Sequence, residues 1–148
     1  MKLLTVLIPT MLLALPMAAF GEADALTFYV QLVRGTDDAT SPVPNARRVG
    51  AKLAERFRPV FRWTDYWEIK RDQVSVAHGE KKRVRLSPER EVEVEITQAG
   101  KRQVAVYSQG RELCRDCKSV GDPMTIIGGD RDIRSGWFVV VRRDKPSD

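Results

Sequence analysis

The stretch from Arg83 to Val106 constrains the fold more than any other part of the chain. Its apolar residues recur at every second position: Val84 and Leu86, then Val92, Val94 and Ile96, then Val104 and Val106. Arg83, Arg85, Glu91, Glu93 and Glu95 take the opposite parity. A period of two sends the first set to one side of a pleated sheet and the second to the other. The segment therefore reads as an antiparallel meander with one dry face and one wet face.

The turns fix its register. Gln98-Ala99-Gly100 is a three-residue connection ending in glycine, where a left-handed residue is required. It pairs Ile96 with Arg102, Val94 with Val104 and Val92 with Val106. Matching the apolar faces across Ser87-Pro88-Glu89 pairs Arg85 with Glu91 and Arg83 with Glu93, each worth about 0.2–1 kcal/mol. The glutamate run is thus the solvated face of the meander and not an acidic catalytic pair. Gln109-Gly110 closes the next hairpin and brings Val106 to Leu113.

Other strands flank this unit. Residues 25–34, ending LTFYVQLVR, form a first strand that Gly35-Thr36-Asp37-Asp38 interrupts. After Pro59, the residues Phe61, Trp63, Trp67 and Ile69 share one parity, followed by Val74, Val76 and a turn at His78-Gly79. Residues 124–127 form a short buried strand and residues 128–132 a loop. Residues 137–141, WFVVV, form a last strand whose unbroken apolar run predicts burial on both faces. The charged exit at residues 142–146 is expected to fray.

One helix is predicted over residues 45–58. Ala46, Val49, Leu53 and Phe57 make its apolar stripe, Asn45 its cap and Pro59 its stop. Gly50 costs it about 1 kcal/mol relative to alanine. Arg48, Lys52 and Arg56 lie opposite the stripe as a basic face. The sum is a mainly β chain: an antiparallel β-sandwich-like domain of about eight strands with one amphipathic helix. A lone meander cannot bury its apolar face, so the first and last strands are expected to supply the second layer.

The N-terminus has the layout of a secretory signal. Met1-Lys2 precedes an almost unbroken apolar run from Leu3 to Phe20, and small residues follow. Cleavage is expected after Gly21, with Ala19 two residues before it, in preference to Ala25. Residues 1–21 are then a signal peptide and residues 22–148 a single mainly-β domain, delivered to the periplasm or the extracellular space. The competing expectation is an uncleaved membrane anchor, since about 18 apolar residues can span a bilayer. Pro9 and Pro16 interrupt that run. The net charge of +5 is a mild excess. It permits contact with an anionic envelope polymer or lipid, and no nucleic-acid partner is expected.

Cys114-Arg115-Asp116-Cys117 holds both cysteines of the chain. In an oxidising compartment they are candidates for a local disulfide, for two separate thiols, or for a redox-active pair. On an extended strand, residues three apart lie about 10 Å between Cα atoms. A bridge needs about 4.4–6.8 Å. The disulfide therefore requires a tight turn at Arg115-Asp116. A redox pair is favoured at a helix start, which Val120-Gly121-Asp122-Pro123 does not offer.

Other chemistry finds little support. The one histidine, His78, sits in an apparent turn, and Asp130-x-Asp132 lacks the remaining ligands of a calcium loop. No serine elbow or phosphate loop is present. No metal, cofactor or catalytic residue is expected. Among the aromatic residues Phe61, Trp63, Tyr66 and Trp67, most read as core. Tyr66, on the opposite parity, is the candidate for an exposed ligand platform.

The stretches FYVQLVRGTDD, VFRWTDYWEIKR, KRVRLSPEREVEVEI and MTIIGGDRD followed by WFVVVRRDKP resemble a family of small exported bacterial proteins with no assigned activity. The resemblance covers most of residues 22–148 as loose patterns. It implies a single exported domain and transfers no functional residue; the Cys114/Cys117 pair is not part of that pattern. The sequence thus points to a non-enzymatic envelope or secreted module. Such a module would bind a protein partner through an exposed strand edge, or an anionic polymer or lipid through Arg48, Lys52 and Arg56. The alternative is a thiol–disulfide redox protein acting through Cys114 and Cys117.

Overall fold

The computed structural model describes residues 24–131 and 134–147. The proposed signal peptide at 1–21 lies outside them, as does Asp132 of the Asp130-x-Asp132 motif. Along the chain run β1 (Leu26–Thr36), β2 (Arg47–Arg48), α1 (Ala51–Phe57), β3 (Asp65–Val76), β4 (Lys81–Arg85), β5 (Arg90–Ile96), β6 (Lys101–Ser108), β7 (Arg111–Ser119), β8 (Met124–Arg131) and β9 (Ser135–Arg142). The strands form two antiparallel sheets, ordered β2-β3-β1-β9-β8 and β4-β5-β6-β7. Among the described residues no helix is long and apolar enough to cross a membrane.

The meander has the register its sequence predicts. Ile96 faces Arg102, Val94 faces Val104 and Val92 faces Val106. Arg83 faces Glu93 and Arg85 faces Glu91. One hairpin departs from it. Val106 meets Cys114, not Leu113, because the pairing shifts by one residue between Val106 and Tyr107. The extra residue is a β-bulge, which leaves Leu113 at 40% exposure.

The two sheets face each other across the main core. Val84, Val92, Val94, Ile96, Val104 and Val106 of the meander pack with Phe28, Val30 and Leu32 of β1 and with Val139 and Val141 of β9. The first and last strands supply the second layer, as a sheet with one wet face requires. The five-stranded sheet is dry on its other side too. There Val33, Phe138 and Val140 pack with Leu53, Phe57, Trp63 and Tyr66. Successive residues of β9 feed opposite cores, which is why WFVVV is apolar without a break.

Three further differences from the sequence expectation stand out. First, the helix is shorter. Asn45 has φ 65° and does not cap it. Arg47 and Arg48 instead pair with Glu68 and Trp67 along the edge of β3. Helix α1 starts only after Gly50 and has no side-chain cap. Edge pairing outcompetes helix formation here, because seven α1 residues are held by Leu53 and Phe57 and not by propensity.

Second, β1 does not stop at Gly35. Gly35 lies opposite Gly136 of β9. A Cβ at Gly35 would come within 2.5 Å of Trp63 Cδ1, and one at Gly136 within 2.8 Å of Trp63 Nε1. The paired glycines form a slot for the Trp63 indole. Phe61 and Trp63 precede β3, so the parity they share with Trp67 and Ile69 in sequence is not kept in space. They join the helix-side core, whereas Ile69 packs against the core between the sheets.

Third, the chain after β9 does not fray within the described residues. Arg142 is 3% exposed, and its guanidinium pairs with Asp144, which also accepts from Lys52 Nζ at 2.8 Å. These two cations hold the Asp144 carboxyl well below its ordinary range. Pro146 is buried.

Candidate functional site

A row of four side chains crosses the open end of the five-stranded sheet. Arg48 of β2 lies opposite Trp67 of β3. Trp67 lies opposite Arg34 of β1, and Arg34 lies opposite Trp137 of β9. Directly opposed residues of antiparallel strands share a face. That face is the one turned toward the meander, since Arg34 and Trp137 sit two residues beyond Leu32 and Val139 of the main core. The row therefore alternates arginine and tryptophan over four adjacent strands.

A further arginine completes it from the opposite sheet. Arg90, at the start of β5, places its guanidinium carbon 4.0 Å from the centre of a Trp137 ring. Arg48 does the same over Trp67 at 4.6 Å. Such stacking is worth about 0.5–2 kcal/mol, more where water is excluded. Arg48 also forms an ion pair with Asp65, which lowers the Asp65 carboxyl pKa. Arg34 Nη2 donates to Ser135 Oγ at 2.9 Å. The indole N–H groups of Trp67 and Trp137 are buried and have no acceptor among the described residues.

Beside the row lies a cleft of about 430 Å³, lined by Leu32, Val43, Ile69 and Trp137 with Arg34 and Arg90. Its origin is a mismatch in strand length. β1 and β3 run for 11 and 12 residues, while β4 and β5 run for 5 and 7. The meander is too short to cover the whole inner face of its partner, so the apolar end of that face opens to a cleft. Concave, mainly apolar sites with a few convergent polar groups are the usual form of a small-molecule pocket.

The residues singled out from sequence are redistributed. Arg48 belongs to this row and not to a helix face. Lys52 is on α1 and is paired with Asp144. Arg56 is exposed in the last turn of α1. Arg48 lies on β2 and Lys52 and Arg56 on α1, so the three do not share the single helix face expected. Tyr66 is 4% exposed, with its ring 4.6 Å from that of Phe57, so it is a core residue and not a platform. Burial raises its phenol pKa.

Cys114 and Cys117 are unbridged. Both lie in regular strand β7, opposite Val106 and Gln103. Three residues apart on a strand, they point to opposite faces and are too distant to bond. The local disulfide expected as one alternative is therefore excluded by the extended backbone at Arg115-Asp116. Burial pushes the Cys114 thiol pKa up, the opposite of what an attacking thiolate needs. His78 forms an isolated bridge to Ile96. No cluster of three metal-ligating side chains exists among the described residues.

Two features went unread in the sequence. The Arg–Trp row needs three long-range registers, and no local pattern announces it. Arg102 was legible: it shares the parity of Val104 and Val106 and so must point inward. It is 0% exposed and donates to the Asp122 carbonyl at 3.0 Å and to Thr125 Oγ1 at 2.9 Å. Burial lowers its pKa from a value so high that it keeps its charge.

Compared with protein-family profiles, with characterised proteins and with solved structures, the chain matches none.

Proposed function

We propose that this protein is an exported, non-enzymatic binding module of the bacterial envelope or its surroundings. Its cleft would take a small amphipathic anion, an alkyl chain ending in a carboxylate. The observation that carries this reading is an apolar cleft lined by Arg34, Arg90 and Trp137, at the end of a row in which Arg48, Trp67, Arg34 and Trp137 alternate. Leu32, Ile69 and Trp137 would cover the chain, and burying each methylene there contributes about 0.8 kcal/mol. Arg34 and Arg90 would receive the head group, for which a planar guanidinium is well suited. The Trp137 indole N–H would add a neutral donor. The signal-like N-terminus supports an exported location, and the resemblance to small exported proteins agrees with it.

The thiol–disulfide reading draws no support from a strand-borne Cys114/Cys117 pair. Contact with an anionic polymer through Arg48, Lys52 and Arg56 draws less support, since Arg48 pairs with Asp65 and Lys52 with Asp144.

Tryptophan emission tests the proposal. Decanoate is titrated into the full chain, with decanol and decyltrimethylammonium as neutral and cationic counterparts. Decanoate is expected to shift the emission, to bind more weakly as salt rises, and to lose about tenfold in affinity in Arg34→Gln, equivalent to about 1.4 kcal/mol. Equal binding of decanol, or an unchanged Arg34→Gln variant, would exclude the assignment.

A further inference from the structure

Strand β7 ends the four-stranded sheet, with β6 on one side and, among the described residues, no strand on the other. It is nine residues long, and its backbone offers a template for another strand. We infer that the partner it fits is β7 of a second copy, paired antiparallel about a two-fold axis at Cys117.

The register follows from charge. In a two-fold pair of identical antiparallel strands one residue meets its own copy on the axis. Centring on Arg115 opposes two arginines, on Asp116 two aspartates and on Lys118 two lysines. Each places like charges face to face, which is destabilising. Centring on Cys114 avoids that but sets Glu112 against Asp116 twice. Centring on Cys117 opposes Asp116 of each copy to Lys118 of the other, twice, and Arg115 to Ser119. Within one chain Lys118 Nζ already lies 3.5 Å from Asp116 Oδ2, so the dimer extends one ion pair into a ring of four charges. Charged side chains commonly keep an edge strand from pairing. Here the same charges match their own copies in one register only.

That register also gives the exposed Cys117 a chemical role. Opposed residues of an antiparallel pair lie about 4.5 or 5.5 Å apart between Cα atoms, both within the disulfide range. The two Cys117 thiols would give up two protons and two electrons to a disulfide oxidant, which is reduced to two thiols as the new S–S bond forms. Cys114 takes no part. It is half-buried and packs against the main core. The oxidising surroundings rest on the export reading above, while the strand pairing is independent of the cleft and its ligand.

The test uses the full chain as the exporting cell processes it. Oxidised glutathione is expected to give a covalent dimer with the unaltered protein and with Cys114→Ser, and none with Cys117→Ser. Sedimentation of the Cys114→Ser/Cys117→Ser variant reads the pairing without the bond. There Lys118→Asp should weaken the dimer about tenfold by opposing like charges, and Asp116→Lys added to it should restore association. Cross-linking through Cys114, a monomer at every concentration, or failure of the charge exchange to rescue would overturn the inference. Circular dichroism of each variant separates lost pairing from lost folding.

Discussion

The molecule holds two arrays of arginine that differ in what surrounds them. On the outer face of the meander every array member meets a carboxylate. Arg83 pairs with Glu93 at 3.0 Å, Arg85 with Glu91 at 2.8 Å and Arg115 with Glu112 at 2.8 Å. At the open end of the other sheet Arg48 and Arg90 stack on indole rings, Arg34 donates to Ser135 Oγ, and Arg48 also pairs with Asp65. The first array is neutralised within the fold and faces water. The second includes Arg34 and Arg90, which line an apolar cleft. Charge alone does not mark a binding surface; what the charges face decides it.

Arg102 gives a third environment and the largest expected effect. Arg102→Ala should destabilise the fold by about 3 kcal/mol, through lost charged hydrogen bonds and an unfilled cavity. Arg102→Met should cost clearly less, since a buried charge is often replaceable by an apolar chain of similar volume. Urea denaturation compares the two. Equal losses would mean that its hydrogen bonds, not its volume, hold the end of the sandwich.

Next comes the floor beneath the row. Gly136→Ala drives a methyl into Trp63 and should cost about 1–3 kcal/mol, read as a lowered denaturation midpoint. If the midpoint does not move, the glycine slot is more forgiving than its geometry indicates. At the level of binding, Arg83→Gln should leave decanoate affinity unchanged where Arg34→Gln weakens it. Loss in both would erase the distinction between the arrays.

The smallest effects sharpen the comparison. A double-mutant cycle on Arg85 and Glu91 should return under about 1 kcal/mol, the range of exposed pairs. Asp65 has a pKa below its ordinary 3.8, with the Arg48 hydrogen bond as the main cause. Its contribution to stability is therefore present above that ordinary value and is lost as pH falls through the folded one. Asp65→Asn should lower stability slightly at pH 7, flatten the profile on the acid side of pH 4 and converge with the unaltered protein at low pH. An unaltered acid limb would show that the Arg48 contact to Trp67, and not the ion pair, positions β2.

Much of the fold was open to inspection in the sequence. Alternation and turn chemistry are local, and they set the pairing of β4, β5 and β6 residue by residue. The bulge at Leu113 was not visible, because one inserted residue leaves the composition of a hairpin unchanged. The helix was overread for a similar reason. The stripe of Ala46, Val49, Leu53 and Phe57 has a helical period, but the first part of it pairs with a strand 20 residues further on. The candidate site was largely hidden, and of its residues only Arg48 was singled out, for a different surface.

By itself the sequence determined that the chain is mainly β, where its meander turns, and which face of that meander meets water. These follow from side-chain period and backbone stereochemistry, which act over a few residues. Tertiary structure alone decided that Tyr66 is buried, that Cys114 and Cys117 cannot bond within one chain, and that Arg48, Trp67, Arg34 and Trp137 stand in a row. Those outcomes depend on which strands become neighbours and how far each sheet overlaps the other. Burial of two apolar faces sets both, and no short stretch of sequence carries that information.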